Sequence, residues 1–221
     1  MTTSILHEDG GNFPFLHQYD KYVLHVSDCI AGGFAKNAVL GNAPRDLDMY
    51  FAYEENYEDT KQRMLDDADH AWHVKYDTKH ATCMTDGKVS IDLVKYHFGT
   101  PSDIINDFDF SICKFAWVRV REDSDEGPEA NIDDSEVSDN GYPFEAVFSP
   151  LFFEHLSMKR LVIDERLPLP LNTFQRMFKY TRYGYNMCRE SKVKLLVAIR
   201  NMTIEGDVDD ELARTLYEGM D

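Results

Sequence analysis

The chain has no apolar run approaching eighteen residues, so no membrane-spanning helix and no membrane partner is expected. Its opening, MTTSILHEDGGNF, lacks a basic stretch followed by a long apolar one and is not expected to act as a signal peptide. Cysteine is scarce. Cys29, Cys83, Cys113 and Cys188 lie far apart, which fits neither a zinc knuckle nor a disulfide framework. Free thiols in a reducing, cytoplasmic compartment are expected instead. Positive charge is also short: 23 Lys and Arg stand against 40 Asp and Glu, for a net charge of −17. Broad, nonspecific binding to DNA or RNA depends on cations that neutralise phosphates, and is not expected. A free nucleotide remains compatible, because a local basic pocket and a metal ion outweigh distant acidic surface. The eight histidines form no catalytic triad, and the chain has no internal repeat.

What is present is enough for a core. Apolar residues make up 43% of 221, and aromatics 13%, the size of one large domain or one with a small appendage. Tyr22–Val26 reads as a short strand or helix end, 34–40 as a helix stopped by Gly41, and 47–52 as a strand. A surface helix is expected over 56–67, with Met64 and Leu65 on its apolar side. Strands follow at 73–76, 81–85 and 88–96, the last two joined through Asp86-Gly87. In the last strand Val89, Ile91 and Leu93 share one face, while Ser90, Asp92 and Val94 share the other. A short helix is expected at 101–106 and a strand near 116–120. Eight carboxylates between Glu122 and Glu136 mark a solvated loop or disordered insert, without the full calcium-loop spacing. The remainder reads as helical. Asn172 is a candidate cap for a helix with Phe174, Met177, Phe178 and Thr181 in one stripe, and Val193, Leu196, Val197 and Ile199 are expected to pack a final helix.

The densest chemistry lies in residues 32–51, GGFAKNAVLGNAPRDLDMYF. Asp46 and Asp48 flank one apolar residue, and strand side chains alternate faces, so both carboxylates point the same way. Such a pair suits Mg²⁺, a hard ion that takes oxygen ligands and substrate phosphates. The turn at Gly32 and Gly33 opens a helix, where free backbone N–H groups receive a phosphate. Lys36 is either a point-charge phosphate contact or a solvated helix lysine. Asp92 sits in an apolar strand, where an unpartnered charge is costly and a nearby metal would relieve the cost.

These residues resemble the nucleotidyltransferase superfamily related to DNA polymerase beta, and most closely the head domain of tRNA nucleotidyltransferases and poly(A) polymerases. Gly32, Gly33, Gly41, Pro44, Asp46 and Asp48 fall in register with that family's first signature, while Lys36 and Asn37 replace its Arg and Asp. In a second signature Asp109, Phe110, Ser111 and Ile112 match in type, but Asn106, Asp107 and Phe108 do not reproduce the Arg pair that faces triphosphate. The resemblance spans about residues 28–116. It implies an α+β fold, with a nucleotidyltransferase-like mixed sheet and flanking helices followed by a small helical region. The expected organisation is a nucleotidyltransferase-like domain over 1–121, an acidic insert over 122–145 and a mainly helical region over 146–221.

The resemblance further implies that Asp46, Asp48 and Asp92 are catalytic and hold Mg²⁺, with Mn²⁺ as a substitute. Gly32, Gly33, Lys36, Asp109, Arg176, Lys179 and Arg182 are the nucleotide-binding candidates, although Asp109 is equally read as a cap and the three basic residues as a solvated helix face. The implied reaction moves a nucleoside monophosphate from an NTP, ATP first among them, to a hydroxyl on a small molecule, a protein or an RNA end. The alternative is a catalytically weakened module that binds nucleotide or another protein.

Overall fold

The computed structural model describes residues 4–8, 22, 23, 25, 27–41, 47–119, 144–163 and 167–202. The acidic insert and Asp46 lie outside the described residues. The chain divides into two compact units, Met1–Ile105 with Phe115–Ser149 and Asn106–Lys114 with Pro150–Asp221.

The first unit is built on one eight-stranded sheet. Its strands are β1 (Ser4–Glu8), β2 (Cys29–Ala31), β3 (Leu47–Tyr50), β4 (His73–Asp77), β5 (Ala81–Thr85), β6 (Ser90–Val94), β7 (Phe115–Arg119) and β8 (Phe144–Phe148). Their order across the sheet is β1-β8-β7-β2-β3-β6-β5-β4. The β3–β6 pair is parallel and its neighbours are antiparallel, so the sheet is mixed. Three helices belong to this stretch: α1 (Gly33–Val39), α2 (Glu54–Asp66) and α3 (Pro101–Asn106). Thr100 opens α3 as a capping box. Its hydroxyl accepts from the Asp103 N–H at 3.2 Å and donates to the Asp103 carboxylate at 2.6 Å.

The two faces of this sheet differ in kind. Ile30, Met49, Leu93 and Thr82 lie directly opposite one another across β2, β3, β6 and β5, and all are fully buried. Helix α2 covers this face, since the Tyr57 hydroxyl meets the Thr82 hydroxyl at 2.7 Å. Met64 of α2 is buried, whereas Leu65 is exposed, so only one of the two expected apolar contacts forms. The far end of α2 is pinned by Tyr22, whose hydroxyl donates to Asp67 at 2.8 Å and accepts from the Trp72 indole at 2.6 Å. Tyr22 lies in a 3-10 turn, in line with the helix-end alternative for this stretch, and the strand forms at Cys29–Ala31.

Among the described residues, the second unit contains a 3-10 turn (Ser111–Cys113), α4 (Phe152–Ser157), β9 (Arg160–Leu161), α5 (Pro170–Arg182), β10 (Asn186–Met187) and α6 (Arg189–Arg200). Two expectations change here. Helix α5 begins at Pro170, not after Asn172, because proline at the first position loses no helical hydrogen bond and presets φ. Its buried side is Leu171, Thr173 and Tyr180, while Phe178 is exposed. Helix α6 likewise buries Ser191 and Leu195 and leaves Val193, Leu196 and Val197 exposed.

Candidate functional site

The face opposite α2 carries the carboxylates. Asp48 of β3 pairs in register with Asp92 of the parallel neighbour β6. In-register side chains on adjacent strands point the same way, with backbones about 4.8 Å apart. The row continues outward through Cys83 on β5 to Tyr76 on β4, and inward through Ala31 on β2 to Ala116 on β7. Two carboxylates thus stand side by side, with methyl-sized neighbours on one flank and proton donors on the other.

Asp92 is half-buried and not orphaned. Its Oδ1 accepts from the Tyr76 hydroxyl at 2.8 Å. The Tyr76 ring is exposed, but its hydroxyl is desolvated against the carboxylate. Desolvation first and Asp92 second push that phenol above its ordinary pKa. Burial pushes the Cys83 thiol up to about 11, and hydrogen bonding to Asp92 adds to the effect. Both groups keep their protons at neutral pH; the Tyr76 hydroxyl donates to Asp92, and the Cys83 thiol donates to the Met84 carbonyl at 3.9 Å. Sequence reasoning missed Tyr76, and the signal is a backbone irregularity. A β-bulge between Val74 and Tyr76 shifts the pairing, so that Val74 opposes Met84 and Tyr76 opposes Cys83.

The glycine turn follows β2 directly. Gly32 has φ 79 and ψ −136, a conformation open in practice only to glycine. Its N–H donates to the Phe115 carbonyl at 3.3 Å, which ties the turn to β7 and commits that donor. Gly33 starts α1 and is half-exposed. Gly41 ends the segment at φ 67, as its sequence position implies. Lys36 is buried, not solvated, and its Nζ donates to the Asn37 side chain at 3.0 Å.

The other candidates belong to the second unit. Asp109 is buried, and its Oδ1 accepts from the Phe110 N–H at 2.8 Å and from Arg176 of α5 at 3.1 Å. Arg176 also reaches Cys113 Sγ and the Tyr180 hydroxyl, each at 3.5 Å, and Tyr180 meets that sulfur at 3.0 Å. Asp109 and Arg176 are therefore brought together in one network, Asp109 buried and Arg176 half-exposed, while Lys179 and Arg182 lie exposed on the same helix. Cys113 packs in the core.

Among the described residues, no group of three or more His, Cys, Asp or Glu side chains is arranged to hold a metal ion. The donor set that is described, Asp48 beside Asp92, is oxygen-only and on one face, and this chemistry fits a hard divalent cation.

The sequence pattern of the Gabija anti-defense 2 family matches residues 5–159. The chain belongs to the Gabija anti-defense 2 family. No curated protein sequence matches it significantly. Among solved structures, this family member is similar to a CCA-adding enzyme complexed with ATP. The TM-score is 0.58 at 14% identity, over 99% of this chain and 51% of that one. It is similar to the Thermotoga maritima CCA-adding enzyme complexed with tRNA_CCA, with a TM-score of 0.55 at 13% identity over 88% of this chain and 46% of that one. A CCA-adding enzyme with CTP gives 0.55 at 12%, over 87% and 46%. This Gabija anti-defense 2 protein therefore has the fold of the polymerase beta-like nucleotidyltransferases, and spans about half the length of the enzymes it matches.

Proposed function

We propose that this protein transfers a nucleoside monophosphate from an NTP, ATP first, to a hydroxyl acceptor and releases pyrophosphate. The observation that carries the reading is the in-register pair Asp48 and Asp92 on parallel strands, beside a glycine turn, in a nucleotidyltransferase fold. Asp46, Asp48 and Asp92 would hold Mg²⁺, or Mn²⁺ in its place. Held there, a divalent cation would supply positive charge against the charge that develops on the phosphates. Gly33 at the start of α1 leaves backbone room for phosphate, and buried Lys36 of the same helix adds positive charge. The acceptor oxygen bonds to the α-phosphorus as the bond from that phosphorus to the bridging oxygen breaks. The hydroxyl proton is released to water and pyrophosphate leaves.

The family description gives an anti-defense role toward Gabija. A protein hydroxyl on a Gabija component is the acceptor that fits it best, since a net charge of −17 disfavours a polyanionic RNA end. One observation favours a second reading, a module that binds nucleotide without turnover: Asn106, Asp107 and Phe108 do not reproduce the Arg pair of the tRNA nucleotidyltransferase signature. Labelled NTPs, Mg²⁺ or Mn²⁺, and protein or RNA acceptors separate the two. Pyrophosphate release that disappears in Asp48→Asn supports transfer. Calorimetric binding of nucleotide without release under either metal supports the module.

A further inference from the structure

We propose that Tyr76 is a positioning residue, which holds Asp92 so that it presents a single oxygen to a divalent cation. The inference rests on Asp92 as a metal ligand, as proposed above, and concerns what orients it. Regular alternation from the Val74–Met84 pair would set Lys75 opposite Cys83, in the same row as Asp92 and Asp48. The bulge inserts one residue and delivers Tyr76 to that position instead. Bulges re-aim side chains in this way and are frequent beside functional sites. The register change matters chemically, because the Tyr76 hydroxyl, not the Lys75 ammonium, bonds Asp92. A phenol leaves the negative charge intact and fixes the carboxylate plane through one 2.8 Å hydrogen bond.

That hydrogen bond engages Oδ1 and leaves Oδ2 as the oxygen for the ion. One-oxygen coordination suits the small octahedral shell of Mg²⁺ or Mn²⁺. Ca²⁺ accepts two-oxygen carboxylates and larger shells. Tyr76 therefore sets metal preference as well as affinity.

The test is direct titration of the full chain with Mn²⁺, read by the loss of its free-ion paramagnetic signal, and with Ca²⁺ by calorimetry. Tyr76→Phe should weaken Mn²⁺ binding by about tenfold and weaken Ca²⁺ binding less. Val74→Thr, on the same edge strand but pointing to the other face, should change neither. Circular dichroism of each variant confirms that the sheet is intact, and Tyr76→His, which restores a neutral donor, should recover part of the affinity. Mn²⁺ binding by Tyr76→Phe within twofold of the parent protein overturns the inference and leaves the metal reading standing. Failure of the parent protein to bind Mn²⁺, with or without nucleotide, overturns both.

Discussion

Asp28 is the residue whose environment makes the sharpest physical demand. It is fully buried just before β2, where Oδ1 accepts from the Ala52 N–H at 3.2 Å and from Asn56 at 2.8 Å, while Oδ2 has no partner. Burial raises its pKa from 3.8 to about 7, against the pull of those hydrogen bonds. Between these values the folded protein keeps a proton that the unfolded chain has lost. The stabilisation is therefore complete below about pH 4 and is lost as pH rises to 7, a swing of ~4 kcal/mol. Asp28→Asn removes the buried charge. Denaturant unfolding should show a gain for this variant that is larger at pH 8 than at pH 5 by about 2–3 kcal/mol. Equal gains at the two pH values would contradict the burial account. Asp109 makes the opposite case, a buried carboxylate that has its cation. Arg176→Ala leaves it with only the Phe110 N–H, and should cost about 1–3 kcal/mol in the same assay.

At the scale of elements, the β2–turn–α1 unit and the β3–β6 pair carry the candidate site. Gly32→Ala places a side chain at φ 79 and strains the turn that donates to Phe115. A loss of about 1–3 kcal/mol is expected in thermal unfolding. A variant as stable as the parent would mean that the turn relaxes without the glycine. These elements were largely legible in sequence. Glycine positions marked the ends of α1, alternation separated Ile91 and Leu93 from Asp92, and the Asp-Gly turn joined β5 to β6. What sequence did not reveal arises from tertiary contact. The parallel register that sets Asp48 beside Asp92 depends on a crossover through α2, β4 and β5, which no local pattern encodes. The bulge that brings Tyr76 into the row is a one-residue offset in the pairing of two strands. In the second unit, Phe174 and Phe178 look like a core stripe because they are apolar and correctly spaced. The face that turns inward is set by Tyr180 and by the Arg176–Asp109 pair.

The whole molecule carries a net charge of −17, and its long-range field repels an NTP. Nucleotide binding should therefore depend on the cation more than on surface charge. Chelation with EDTA should weaken ATP binding at least tenfold by calorimetry, and added Mg²⁺ should restore it. Equal affinity with and without the metal would mean that the cation is dispensable for nucleotide binding. The family match gives the biological direction, the fold gives the scaffold, and the carboxylate row on β3 and β6 is the proposed source of the chemistry. The measurement that bears most directly on all three is transfer of label from α-³²P-labelled NTP, with Mg²⁺ or Mn²⁺, to protein acceptors including Gabija components. Covalent label that is absent with Asp46→Asn and with Asp48→Asn is the predicted result. Label that persists in both variants, or pyrophosphate release from neither the parent protein nor any variant under either metal, would contradict it.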